Sequence, residues 1–256
     1  RDVNFIAFGN MYQVGPHGCY GARYVGHRAG CPNETTGVAV SLACGTGLLA
    51  LTTAADAVSR GDALLAAAVG ADTPSRLRRD ILVPSFTDLS CGKHIAKTAE
   101  ERAADAKLSR ATMDAWALRS HMKARAAAKF RAEEIVPVGG VADDDAILAD
   151  ATPESFAAAK ALFSDGTTVM THRNVHGIVD GGAALILAAP KAAKGRALGR
   201  LVSSALVGVP PERMAYAAVP AVRMALERAR WRAAEVDLWE INETFAAQVL
   251  LDKAEL

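Results

Sequence analysis

The stretch that most narrows the possible folds runs from Val38 to Val69. Apolar Val38 to Ala43 leads into Cys44-Gly45-Thr46-Gly47, and LLALTTAADAVSRGD then carries the spacing and alanine richness of a packed helix. Arg60-Gly61-Asp62 supplies the stop. Ala63 to Val69 follows as an apolar run without alternation, as expected of a strand covered on both faces. Strand, helix and strand in that order predict an α/β architecture and place Cys44 on a strand-to-helix turn. Asp2 to Phe8 (DVNFIAF) reads as a further strand. Val175 to Leu187 (VHGIVDGGAALIL) reads as a glycine turn and an apolar strand that could rejoin the same sheet.

Between these strands, from about Ser75 to Gly166, the sequence becomes charged, helical and loop-rich, which predicts an insertion. Thr98-Ala99-Glu100-Glu101 fits a capping box. A second helix starts near Ser109, with Met113, Trp116, Ala117, Ala124 and Ala128 on one stripe. Asp143-Asp144-Asp145 reads as a solvated loop, and Thr152-Pro153-Glu154 opens another helix with proline where a missing donor costs nothing. After Ala188-Ala189-Pro190 a new unit is expected. It holds a helix from about Ala221 to Arg230 and a strand, Val236 to Ile241 (VDLWEI), ending at Asn242. That strand and turn echo Val3 to Asn10 (VNFIAFGN), a short sign of internal duplication.

Composition excludes several classes of function. The 29 basic and 28 acidic residues leave a net charge of +1, so no global field favours nucleic acid or an anionic membrane. Cys19, Cys31, Cys44 and Cys91 form no CxxC pair and have no histidine at zinc-ligand spacing, which argues against a structural metal or a disulfide framework and for a reducing, cytoplasmic setting. The longest apolar runs are far too short to span a bilayer. Arg1 opens directly into a strand, so the N-terminus is expected to be incomplete.

Two positions invite chemistry. A thiol at the first turn of a helix faces unpaired N–H groups and the positive end of the macrodipole, which favours the thiolate. Gly45 and Gly47 would let a ligand come close, and N–H groups there could hold an oxyanion. The competing reading makes Cys44 a small buried hydrophobe. Asn242, in Asn242-Glu243-Thr244-Phe245-Ala246, is either the N-cap of the helix that follows or an amide that orients a water or thioester oxygen. His172 and His176 are four apart, but Gly177 argues for a loop, not a shared metal. His94 is a polar loop residue by default and a ligand contact if its loop covers a pocket. Ser75 to Arg79 reads as a solvated basic face.

Taken in order, the segments resemble the thiolase family over almost the whole chain. SLACGTGLLAL around Cys44 is similar to the segment bearing the acylated cysteine, and Phe8-Gly9-Asn10 and Gly21-Ala22-Arg23 to the early strand and helix. His94 with Thr98-Ala99-Glu100 resembles the HMGxTAE motif, with Ile95-Ala96 in place of Met-Gly, and Trp116 to His121 fits the helix after it. Asp165-Gly166-Thr167-Thr168 and Asn174 to Gly181 resemble the DGTVT and NASGxxDGA segments, with His176 where a small serine is usual. Val219-Pro220-Ala221 and Glu240 to Gln248 are similar to VPA and ELNEAFAAQ, with Thr244 as the departure.

The resemblance implies a layered αβαβα fold of two similar halves, incomplete at both ends. The first half would span 1–189 with a coenzyme A-binding loop domain inserted at about 75–166, and the second would start at 190–256. It implies an acyl-CoA:acetyl-CoA C-acyltransferase that uses coenzyme A thioesters as substrates with no tightly bound cofactor. Cys44 would carry the acyl group and Asn242 would hold the water beside the enolate oxygen, while His94, His176, Gly177 and Phe245 would line the substrate channel. The activating histidine and second cysteine belong to GHP and CxGGG motifs expected downstream of Leu256. A homodimer or homotetramer is implied, without nucleic acid or membrane. A decarboxylating ketosynthase-type enzyme and a catalytically silent acyl-CoA- or lipid-binding relative share the pattern.

Overall fold

The computed structural model describes residues 2–13, 18–163, 169–193, 195 and 197–256. The DGTVT-like segment Asp165 to Thr168 therefore lies outside the described residues. The chain divides into two compact units, 1–82 with 178–204, and 83–177 with 205–256.

In the first unit β1 (Phe5–Gly9), β2 (Thr36–Val40), β3 (Leu65–Asp72) and β4 (Gly181–Ala188) form one sheet in the order β2-β1-β3-β4. β1 is parallel to both β2 and β3, and β4 returns antiparallel to β3 from Gly181 opposite Asp72 to Ala188 opposite Leu65. The strand expected to rejoin the first sheet does so. Side chains alternate between two apolar layers, as the pleat requires. Ala7, Ala66 and Ala68 pack with Ala50 and Ala54 of α2 (Thr46–Ser59), whereas Ile6, Phe8 and Ala67 pack with Ala22 of α1 (Gly21–Arg28). Because Ala50, Ala54 and Ala57 fall on one side of α2, the helix can lie close to an alanine-rich strand. Short helices α3 (Arg79–Leu82) and α8 (Pro190–Ala193) complete this unit.

Gly61 ends α2 in a left-handed conformation at φ +82, with its N–H donating to Val58 O and that of Asp62 to Ala57 O, so the stop read from Arg60-Gly61-Asp62 is a glycine-terminated cap. Ser75 binds Asp180 through both its N–H and its hydroxyl, at 3.0 and 2.5 Å, tying the end of β3 to the start of β4.

The second unit is helical, with α4 (Ile95–Asp105), α5 (Arg110–Ala126), α6 (Ala128–Glu134), α7 (Pro153–Ala157), α9 (Ala218–Ala229) and α10 (Ala246–Glu255). Ser109 caps α5 and Thr152 caps α7, at the positions read from sequence. The core gathers Ala96, Ala99 and Ala103 of α4, Met113 and Ala117 of α5, Phe156, Met170, and Phe245 to Ala247. Only the first part of the predicted α5 stripe is buried, and Ala128 is exposed on α6.

Two local expectations are overturned and one boundary moves. Thr98 does not cap α4, because it lies inside the helix and donates its hydroxyl to Ile95 O at 2.7 Å, while His94 is the cap and accepts the Ala96 N–H on Nδ1 at 3.2 Å. The helix predicted from Ala221 begins earlier, at Ala218, since Pro220 sits in the first turn where no N–H is needed. Val236 to Ile241 pairs with no strand among the described residues and has no regular secondary structure, with Leu238 exposed, because a β-prone sequence forms a strand only beside a ladder partner.

Candidate active site

Cys44 stands at the carboxyl edge of the parallel strands, where β2 turns into α2. The turn is held by one side chain. Thr46 Oγ1 accepts the Leu42 N–H at 2.7 Å and donates to Ala43 O at 2.6 Å, so a single hydroxyl bridges both sides of the cysteine. Ala43 adopts φ +42, a left-handed conformation that costs a non-glycine residue of the order of 1 kcal/mol and persists only when neighbouring bonds enforce it. Gly9 makes room for this arrangement, because a Cβ there would lie 2.8 Å from Thr46 Cγ2.

The thiol is exposed, which removes the reading of Cys44 as a buried hydrophobe, and none of Cys19, Cys31, Cys44 and Cys91 is in a disulfide. It precedes Gly45, the N-cap of a 14-residue helix, so the electropositive end of α2 lies beside the sulfur. The Gly45 N–H donates to Leu42 O at 2.8 Å and the Thr46 N–H to Ala43 O at 3.1 Å, so both are engaged within the turn. On the neighbouring strand ends, Asp72 accepts the Met11 N–H at 2.7 Å and Asn10 donates to Ala71 O at 2.6 Å, closing the same edge of the sheet.

In the second unit the Asn242 segment is not a helix cap. The N-cap of α10 is Phe245, three residues on, and the Asn242 amide donates to Thr244 Oγ1 at 3.1 Å. Residues 244–246 pair antiparallel with 174–176: the His176 N–H donates to Thr244 O at 3.2 Å and the Ala246 N–H to Asn174 O at 2.9 Å. His176 and Gly177 are exposed beside this ladder. Phe245 is 4 % exposed and packs into the core of the unit. His94 lies at the start of α4, its ring 6.1 Å from Phe86 and 6.0 Å from Phe163, and burial holds its pKa below the ordinary value.

A cavity of about 810 Å³ opens beside Asn242, lined among others by Trp116, Ser120, Trp239, Glu243 and Lys253. Of the expected second-unit site residues, Asn242 lines it and His94, His176, Gly177 and Phe245 do not. Trp116, Ser120, Asn174 and Glu243, which hold this segment, have no such role in the sequence analysis. Glu243 accepts Trp116 Nε1–H at 3.1 Å and the Ser120 hydroxyl at 2.6 Å. Buried Asn174 accepts the Thr171 N–H at 2.8 Å and donates to Asp114 at 2.9 Å and Val169 O at 3.0 Å. The i, i+4 spacing of Trp116 and Ser120 was the available signal, since it puts two donors on one face of a helix. No group of three potential metal ligands occurs among the described residues, and no helix there is long and apolar enough to cross a membrane.

The profile of the thiolase N-terminal domain matches residues 1–78 and 72–191, and that of the thiolase C-terminal domain matches 195–256. An acetyl-CoA acetyltransferase of Shinella zoogloeoides is 36% identical over 96% of this chain and 70% of its own length. A beta-ketothiolase, BktB, of Cupriavidus necator is 32% identical over the same shares. The human mitochondrial 3-ketoacyl-CoA thiolase, solved also in complex with CoA, superposes with a TM-score of 0.93 at 28% identity, covering 100% of this chain and 72% or 71% of that one. The chain belongs to the thiolase family and has the α/β thiolase fold.

Proposed function

We propose that the protein is an acyl-CoA:acetyl-CoA C-acyltransferase that carries the acyl group on Cys44. The observation that carries this reading is the exposed thiol at the N-terminal tip of α2, in a turn locked by Thr46. In condensation the Cys44 thiolate attacks the carbonyl of an acyl-CoA thioester, a carbon–sulfur bond forms to the enzyme, the bond to the coenzyme A sulfur breaks, and coenzyme A leaves as its thiolate. The acyl carbonyl then bonds to the deprotonated α-carbon of a second acyl-CoA as its bond to Cys44 breaks and the thiolate returns. In thiolysis Cys44 instead attacks the 3-keto carbonyl of a 3-ketoacyl-CoA, the bond between carbons 2 and 3 breaks with acetyl-CoA leaving once its α-carbon is protonated, and the acyl group then passes from Cys44 to the sulfur of coenzyme A. Dividing the transfer in two lowers each barrier.

Asn242 is the amide proposed to hold a water at the thioester oxygen, and His94, His176 and Gly177 are proposed walls of the pantetheine channel. Phe245 supports that wall from the core. Condensation also needs a base for the α-carbon proton, and no residue of these 256 is assigned that part. Coenzyme A bound to the human relative supports a coenzyme A thioester as the substrate class. The remaining proposals are a first thiolase half over 1–189, a second beginning at 190, a cytoplasmic setting and a homo-oligomer.

Incubation with radiolabelled acetyl-CoA followed by peptide mass spectrometry tests the reading. One acetyl group on the Cys44 peptide, lost in Cys44→Ala, is the expected result. Labelling elsewhere, or none, overturns it. A second reading, an acyl-CoA-binding protein without transfer, draws on one observation: two of the departures from the family's motifs, His176 and Thr244, are hydrogen-bonded to each other through their backbones. That protein would bind acyl-CoA and leave Cys44 unlabelled.

A further inference from the structure

Asn242 is exposed and has no regular secondary structure around it, yet a group that positions water must hold its own orientation. Its two following residues supply that hold. Glu243 reaches across to α5, where each carboxylate oxygen takes one donor: Oε1 the Trp116 indole at 3.1 Å and Oε2 the Ser120 hydroxyl at 2.6 Å. Thr244 places its hydroxyl 3.1 Å from Asn242 Nδ2, and its carbonyl is pinned by the His176 N–H. Trp116 is itself fixed, with the Arg119 guanidinium 5.0 Å and the Lys253 ammonium 5.8 Å from its ring centroid. Bonds to an ionised acceptor are the stronger class, so the carboxylate anchor outweighs the single amide-to-hydroxyl bond.

We propose that Glu243 is a positioning residue which, by docking on Trp116 and Ser120, fixes the backbone from which the Asn242 amide projects, with Thr244 selecting the direction of that amide. Glu243 exchanges no proton in this role. The proposal rests on the thiolase reading for its catalytic consequence, but its structural content stands apart from it.

The experiment pairs two readouts on the intact protein. With ¹⁵N-labelled asparagine, NMR relaxation reports the mobility of the Asn242 side-chain amide. It is expected to be restrained in the unaltered protein, mobile in Glu243→Ala and in the Trp116→Phe/Ser120→Ala double variant, and restrained again in Glu243→Gln, which can still accept from the indole and bond the serine. Thr244→Ala is expected to loosen the amide and Thr244→Ser to restore it. In the transfer assay, Glu243→Ala is expected to lower kcat by about tenfold or more with KM changed less than about threefold, and acetylation of Cys44 within about twofold of normal. Glu243→Gln should keep most of kcat, which an acid–base role would not allow. Equal restraint of the amide in Glu243→Ala overturns the proposal, as does an unchanged kcat in that variant. If Cys44 of the unaltered protein takes no acetyl group, the thiolase reading fails, and the relaxation comparison still decides the clamp.

Discussion

Arg102 and Asp252 form a fully buried ion pair, Nη1 to Oδ1 at 2.6 Å, with side chains 2% and 0% exposed. It joins α4 to α10. The same guanidinium also donates to Ala215 O and to Glu255, and it stacks 4.5 Å from the Tyr216 ring centroid. Removing one partner of a buried pair costs about 3–5 kcal/mol when the other is left alone, and about 2–3 kcal/mol is expected here because Glu255 stays on the guanidinium. Asp252→Ala is therefore expected to lower the unfolding free energy by that amount in urea titration. The double variant Arg102→Met/Asp252→Leu should recover most of the loss, because the buried charge is gone.

Asn174 is 1% exposed and is the polar centre of the same unit. Its amide serves Thr171, Val169 and the Asp114 carboxylate, which Arg110 holds on its other oxygen at 2.6 Å. Asn174→Ala strands several of these groups, and an unsatisfied buried group costs about 1–3 kcal/mol. The expected loss by denaturant unfolding is at least about 2 kcal/mol. Asn174→Asp should lose more at neutral pH, since it sets a second carboxylate against Asp114.

Thr46 fastens the Cys44 turn with one hydroxyl. Thr46→Val keeps the shape but leaves the Leu42 N–H and Ala43 O without that partner, at an expected cost of about 1–3 kcal/mol. Thr46→Ser should regain most of it. The rate of Cys44 acetylation by acetyl-CoA, followed by mass spectrometry, should fall in the valine variant and return in the serine variant.

Burial holds His94 below its ordinary value of 6.5, and His121 likewise, there through burial first and the Arg125 charge second. Both rings accept a backbone N–H on Nδ1, from Ala96 and from Leu148, which requires the neutral form. The folded state therefore takes up protons later than the unfolded state as pH falls. Stability from these groups is full above about pH 6.5 and declines below it, toward the lowered folded pKa values. Urea midpoints should drop between about pH 7.5 and 5.5. His94→Asn, which can still cap α4, should shrink that drop.

Much of this structure was legible in local pattern. The strand, turn and helix around Cys44, the central strand covered on both faces, the returning strand β4 and the caps Ser109 and Thr152 follow from apolar period, glycine and cap chemistry, which act over a few residues. The order of motifs carried the family. What pattern missed are assignments between competing local partners. Thr98 was read as the cap and His94 as a loop residue, but Thr98 lies inside α4 and His94 takes the capping place. Asn242 looked like a cap because the start of α10 could not be located to within three residues. Val236 to Ile241 has strand composition, but a strand exists only with a hydrogen-bonded neighbour.

The amino-acid order alone determined which segments turn, which bury an alanine face and which residue offers a nucleophilic sulfur, since each depends on near neighbours and intrinsic side-chain chemistry. Tertiary structure decided how those groups are held. Glu243 reaches Trp116 across 127 positions and Asp252 reaches Arg102 across 150, and nothing periodic in a sequence records such a meeting. Hydrogen bonds and ion pairs act over a few ångströms in space, and folding alone sets which distant residues come that close.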